Sequence, residues 1–253
     1  MFWAMVALSI VFFLTSIVSV VTGSTSLITV PAMLQFGIEP RSAVATNMLA
    51  LTLLSLGGSL SFRGQNVIDR RRLPLLVVLT LAGSILGAFL LVIIPSRTMP
   101  LIITIVMIGM VAFSMTKRST TVSPEREASR LSEAGGYGLT LLLGVYGGFF
   151  SGGYVTMLTI AFVALFGMSY LQAISTTKIV NVVSSLTATL IFMWRGLVDY
   201  RLGMVLGIVM FVGGMIGGKI ALKLSSTWLR RAFLAAVLIL AIKILLFDLF
   251  LNR

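Results

Sequence analysis

Apolar runs of about twenty residues, separated by short basic segments, recur along almost the whole of this chain. A helix needs about 20 apolar residues to cross the hydrocarbon layer of a bilayer. Full-length runs fall at Phe2–Val21, Arg41–Phe62, Leu73–Ile94, Met99–Met115, Gln172–Trp194, Leu202–Leu224 and Trp228–Phe250. They make 58% of the 253 residues hydrophobic and leave only 10% charged, where a soluble domain carries about 25% charged. No single soluble core hides that much apolar surface. The expectation is an all-α polytopic transmembrane protein. Phe2–Val21 lacks a basic stretch ahead of it and a clear small-residue cleavage site, so it reads as a retained helix rather than a signal peptide.

Two apolar stretches are too short or too broken to span. Ser24–Phe36 follows Thr22-Gly23 and contains Pro31, and Tyr154–Phe166 follows Gly147-Gly148 and Ser151-Gly152-Gly153. A further helix is expected from about Gly136 to Phe150. The polar segment Lys117–Glu133, with Pro124 and mixed charges, reads as a linker.

The chain repeats itself. An offset of 130 residues aligns Gly23 to Ser96 with the second half without gaps, pairing Thr29/Thr159, Phe36/Phe166, Gly37/Gly167, Thr46/Thr176 and Ser55/Ser185. Asp69/Asp199, Gly83/Gly213 and Gly87/Gly217 match at the same offset. Each half then holds five helical elements, and an odd number inverts the second half in the membrane. Charge supports the inversion. With the Arg63–Arg72 loop, the linker and the Lys219–Arg231 region on the cytoplasmic side, that side carries 12 Lys/Arg and the other 5, as the positive-inside rule requires. The division is 1–116 for the first membrane repeat, 117–134 for a cytoplasmic linker and 135–253 for the second repeat. The two Gly-x-x-x-Gly pairs read as close helix packing.

Several chemistries are excluded. A net charge of +12 suggests nucleic acid, but the charges sit between apolar runs, where anionic headgroups account for them. There is no Cys and no His, so thiolate ligands and the commonest general base are missing. Glu39, Asp69, Glu125, Glu127, Glu133 and Asp199 are expected in loops, with Asp248 near the C-terminal end. No carboxylate is left for an intramembrane proton relay, metal site or hydrolase. No enzyme activity, metal or cofactor is expected.

Inverted repeats with Gly/Pro-interrupted segments at matching positions mark the midplane site of a secondary transporter. A helix that starts inside the membrane aims unpaired N–H groups and about half a positive charge at one spot, which suits an anion. Candidate binding residues are therefore Thr22, Gly23, Ser24 and Thr25 at the first start, and Ser151, Gly152, Gly153 and Tyr154 at the second. Close packing is the alternative use of the same small residues. Lys178 is the most informative charge, two turns into its span beside Thr176, Thr177 and Asn181. A cation there faces a cavity or a partner, or snorkels to the interface.

The pieces Thr22-Gly23…Pro31 with Ala43-Val44-Ala45-Thr46-Asn47 resemble the sulfite exporter (TauE/SafE) family. So do Gly147-Gly148…Gly152-Gly153 with Ala173-Ile174-Ser175-Thr176-Thr177-Lys178…Asn181, and the ending Arg195-Gly196-Leu197-Val198-Asp199. The likeness covers nearly the whole chain. It adds Thr46 and Asn47 to the candidates, and implies transport of a small sulfur-containing anion such as sulfite or an organosulfonate across a bacterial inner membrane. The first glycine cluster departs from the family by shrinking to Thr22-Gly23-Ser24. A membrane assembly or scaffold protein that carries no solute is the competing reading.

Overall fold

The computed structural model describes residues 2–23, 25–65, 67–116 and 129–224, and every regular element among them is helical. In chain order these are α1 (Phe2–Thr22), α2 (Ser26–Gln35), α3 (Pro40–Ser61), α4 (Leu73–Ile93), α5 (Met99–Thr116), α6 (Arg130–Phe149), α7 (Tyr154–Phe166), α8 (Tyr170–Trp194) and α9 (Tyr200–Lys223), with a 3₁₀ turn at Ser96–Thr98. Five are long and apolar enough to cross a membrane: 5–22, 40–61, 73–93, 170–194 and 200–223. The expected helix Trp228–Phe250, the candidate Ser24 and residues 117–128 lie outside the described residues.

One boundary is corrected. α6 begins at Arg130, not near Gly136, because the chain supplies a start signal that its later glycines obscure. The Ser129 hydroxyl accepts from the Ser132 N–H at 3.2 Å, a side-chain cap. Glu133 therefore stands in the first helical turn rather than in a loop, where its charge complements the helix dipole. It also pairs with Arg72.

The short helices end as their Phe-Gly pairs imply. Gly37 and Gly167 have φ of +78° and +68°, the left-handed conformation that closes a helix. At 1.5 Å per residue, the 10 residues of α2 and the 13 of α7 reach only about 15 and 20 Å, well short of a bilayer's hydrocarbon. The long helices that follow are firmly capped. The Glu39 carboxylate accepts from the Ser42 N–H at 2.8 Å, and Ser169 and Gln172 form a reciprocal box at the matching position.

Packing is reciprocal across the offset. α9 lies against α1 and α3, while α4 lies against α6 and α8. The glycine pairs make this possible. A Cβ on Gly83 or Gly87 would strike the carbonyl oxygen of Leu141 or Val145, and one on Gly213 or Gly217 would strike the Ser16 hydroxyl or the Ile17 carbonyl oxygen. They are helix-packing residues, as their spacing suggested.

α3 and α8 meet at the centre and run antiparallel. Going up α3, Thr46 bonds Asp199, just beyond the end of α8; then Thr52 faces Thr189 at 3.4 Å and Ser55 accepts from Asn181 at 2.6 Å. Beyond the end of α3, Asp69 bonds Thr176 near the start of α8. The 63–72 loop and the starts of α6 and α8 thus share one end of the bundle. The α8–α9 connection, Arg41 and Ile94 share the other.

Candidate functional site

Both helix breaks are built from residues that tolerate unusual backbone. Gly23 and Gly153 occupy matching positions with φ of +73° and +78°, conformations that side chains with a Cβ resist. Ser151 takes φ +63° without being glycine, a rarity that calls for external support. That support comes from Tyr146, whose hydroxyl donates to the Gly152 carbonyl oxygen and holds the loop.

The two breaks meet. A Cβ on Gly23 would stand 2.7 Å from the Thr156 backbone nitrogen and from Val155 Cβ, so the end of α1 lies directly against the start of α7. Thr156 Oγ1 donates to the Thr22 carbonyl oxygen at 2.5 Å. On the other side, a Cβ on Gly152 would reach the Leu27 side chain at 2.8 Å, which brings the second break onto α2. Neither short helix opens with a side-chain cap: Thr25 makes no such bond and Gly153 has no side chain to make one. By contrast, α3, α6, α8 and α9 are capped by Glu39, Ser129, Ser169 and Asp199.

The central helices hold the short ones by matching contacts. Asn47 donates to Ser26 Oγ at 3.0 Å and accepts from Thr29 Oγ1 at 2.7 Å. In the second half, Thr177 stands 3.4 Å from Thr159 at the positions equivalent to Asn47 and Thr29. Ser26, Thr29 and Thr159 were not among the sequence candidates. The identity of Thr29 and Thr159 across the repeat was the signal that pointed to them.

Lys178 is 1% exposed and faces the junction. Its ammonium donates to the Ser19 carbonyl oxygen at 3.1 Å, the same oxygen that accepts from Gly23 N–H at 2.7 Å. A cation at the C-terminal end of α1 meets the negative end of that helix dipole. Its stem runs past Gly58, where a Cβ would lie 3.5 Å from the lysine Cδ. No described residue forms an ion pair with it; the described ion pairs join Arg72 to Asp69 and Glu133. An ammonium has three donors, and one of them is spent on Ser19. One turn along, Asn181 donates to Ser55 but leaves its carbonyl oxygen buried and unpaired.

Of the candidates, Thr22, Gly23, Gly152 and Lys178 make the contacts at the junction, Asn47 and Thr177 meet the short helices, Ser151, Gly153 and Tyr154 form the second break, Thr25 opens α2, and Asn181 lies one turn beyond Lys178 on α8. Thr46 and Thr176 point elsewhere: each accepts a backbone N–H from a connecting loop, of Asp199 at 3.0 Å and of Asp69 at 3.2 Å. The described residues hold no group of three or more acidic or metal-ligating side chains that could bind a metal.

The chain is similar to a probable membrane transporter protein of Haemophilus influenzae, at 29% identity over 86% of this chain and 85% of the relative. It is 27% identical to the probable membrane transporter protein ORF9 of a Sinorhizobium species, over 92% and 89%. Against the probable membrane transporter protein YfcA of Escherichia coli K12 it is 26% identical over 94% and 89%. No solved structure matches it. Bacterial relatives and span-length helices describe an integral protein of the inner-membrane type, a transporter rather than an enzyme. The model of the sulfite exporter TauE/SafE family matches residues 8–244, and the chain belongs to that family of membrane transporters.

Proposed function

We propose that this transporter carries a small sulfur-containing anion, sulfite or an organosulfonate, through the junction of its two helix breaks. The observation that carries the reading is Lys178: a fully buried ammonium with no carboxylate partner among the described residues, set where two interrupted helices touch. A buried cation without a counter-ion is costly, and a passing anion is the partner that offsets the cost. Glycine breaks let a ligand approach the backbone closely, while the uncapped starts of α2 and α7 add donors and positive dipole ends. The reciprocal contacts and the antiparallel α3 and α8 support two inverted repeats that rock against each other about this point. The end that gathers the 63–72 loop is the cytoplasmic one in this reading, following the basic residues.

Flux into proteoliposomes, measured for sulfite, a sulfonate, sulfate and chloride, tests the proposal. Sulfite or sulfonate is expected to move in preference to the others. A purified, folded protein that moves no sulfur anion overturns it.

A further inference from the structure

The two halves do not bring the same chemistry inside. Across the 130-residue offset, Lys178 corresponds to Met48, Asn181 to Leu51, Ser184 to Leu54 and Thr80 to Met210. All eight are buried. One face of the internal symmetry is therefore polar and its counterpart apolar.

Two of the polar members, Thr80 of α4 and Ser184 of α8, lie together at the start of α7. The Tyr154 hydroxyl lies beside those of Thr80 and Ser184, and Ser184 accepts from Ser84 Oγ at 2.8 Å. Yet neither the Tyr154 hydroxyl nor Thr80 Oγ1 makes a hydrogen bond of ordinary geometry, although both residues are 0% exposed. Thr80 is especially informative. A helical threonine commonly bonds the carbonyl one turn back, and Thr29, Thr52, Thr140 and Thr159 all do so here. Thr80 does not. Buried hydroxyls without partners are rare and carry a desolvation cost. Along α8 the steps from Lys178 to Asn181 to Ser184 are three residues each, so neighbouring side chains lead from the ammonium to the hydroxyls.

We propose that Thr80, Tyr154 and Ser184 form a hydroxyl station that binds the oxygens of the transported anion and sets its selectivity. The inference rests on the anion-transport reading and adds its specificity element. Donors on three different helices suit an anion with several acceptor oxygens, each of which can take one donor. A sulfonate or sulfite offers three such atoms spread over its own width, whereas a monatomic anion must draw all three donors onto one centre. A site built from buried donors rejects a ligand that leaves them unpaired.

The test measures sulfite and chloride flux in proteoliposomes for the wild type, Thr80→Val and Tyr154→Phe, with thermal unfolding in detergent alongside. Both substitutions keep the shape and delete the hydroxyl. The sulfite-to-chloride ratio is expected to fall by about tenfold in each, while the unfolding temperature stays level or rises because an unpaired buried group has gone. Lys178→Met, in contrast, should slow both anions. An unchanged ratio in both variants overturns the station, whether the hydroxyls then serve water or packing. So does an unchanged ratio with a lowered unfolding temperature, which marks a structural role. Should Tyr154→Phe fail to fold, Thr80→Val alone decides. A wild type that moves neither anion overturns the transport reading itself, a result separable from a loss of selectivity among working variants.

Discussion

The backbone N–H of Asp199 donates to the Thr46 hydroxyl across the whole depth of sequence between them, at 3.0 Å. The same bond recurs 130 residues displaced, from Asp69 N–H to Thr176 at 3.2 Å. Each aspartate also accepts a backbone N–H three residues on: Asp199 caps α9 through Leu202 N–H at 3.0 Å, and Asp69 takes Arg72 N–H at 3.1 Å just ahead of α4. Each half thus fastens the loop of the other at opposite ends of the bundle. Thr46→Val or Thr176→Val leaves a loop N–H without its acceptor and should lower stability by about 1–3 kcal/mol. The sites share no partner, so the two losses should add. Thermal unfolding in detergent reads this out, and a double variant as stable as the wild type would show the bonds to be dispensable.

Lys178→Met should separate charge from packing. Met48 holds the matching place in the first half, so the fold accommodates that side chain, and removing a buried charge should leave stability intact or raised. At an effective dielectric of about 20, a unit charge about 4 Å away contributes up to roughly 4 kcal/mol before dehydration is subtracted. Anion binding should therefore weaken by about tenfold or more. Lys178→Arg should recover only part of it, since a planar fork does not replace a compact ammonium. Binding of radiolabelled sulfite by the purified protein measures both. Wild-type affinity in the Met variant would reduce Lys178 to a cap on α1.

Two glycines with the same backbone conformation should respond differently. Gly23 at φ +73° presses on Thr156 and Val155, whereas Gly37 at φ +78° has nothing within 4 Å of a added Cβ. Gly37→Ala meets only the left-handed strain of roughly 1–2 kcal/mol, and transport should survive. Gly23→Leu forces the two breaks apart and should abolish flux while the protein still inserts. Equal flux from both variants would remove the junction from the transport path.

Sidedness can be read directly because the chain has no native cysteine. Arg70 and Arg195 are exposed at opposite ends of the bundle. Arg70→Cys should react with an impermeant maleimide only from the cytoplasmic side, and Arg195→Cys only from the other. Labelling of both from one side would contradict the inverted arrangement.

The sequence alone determined the five span-length helices among the described residues and the matching positions of the two breaks. These depend on local physics: the length of an apolar run, the φ a glycine permits, the cap a serine or aspartate supplies, and the spacing of glycines on one helix face. Even so, the start of α6 was hidden, because Gly135 and Gly136 masked the cap at Ser129. Tertiary structure alone decided what the buried polar groups do. Lys178 is 159 residues from the carbonyl it meets, and Thr46 is 153 residues from the N–H it accepts. Thr46 and Thr177 look alike in sequence, yet one anchors a loop and the other faces the junction. Which hydroxyl is satisfied and which, like Thr80, is left open depends on the helix that packs opposite it, and in an apolar interior no water signature in the sequence records that choice.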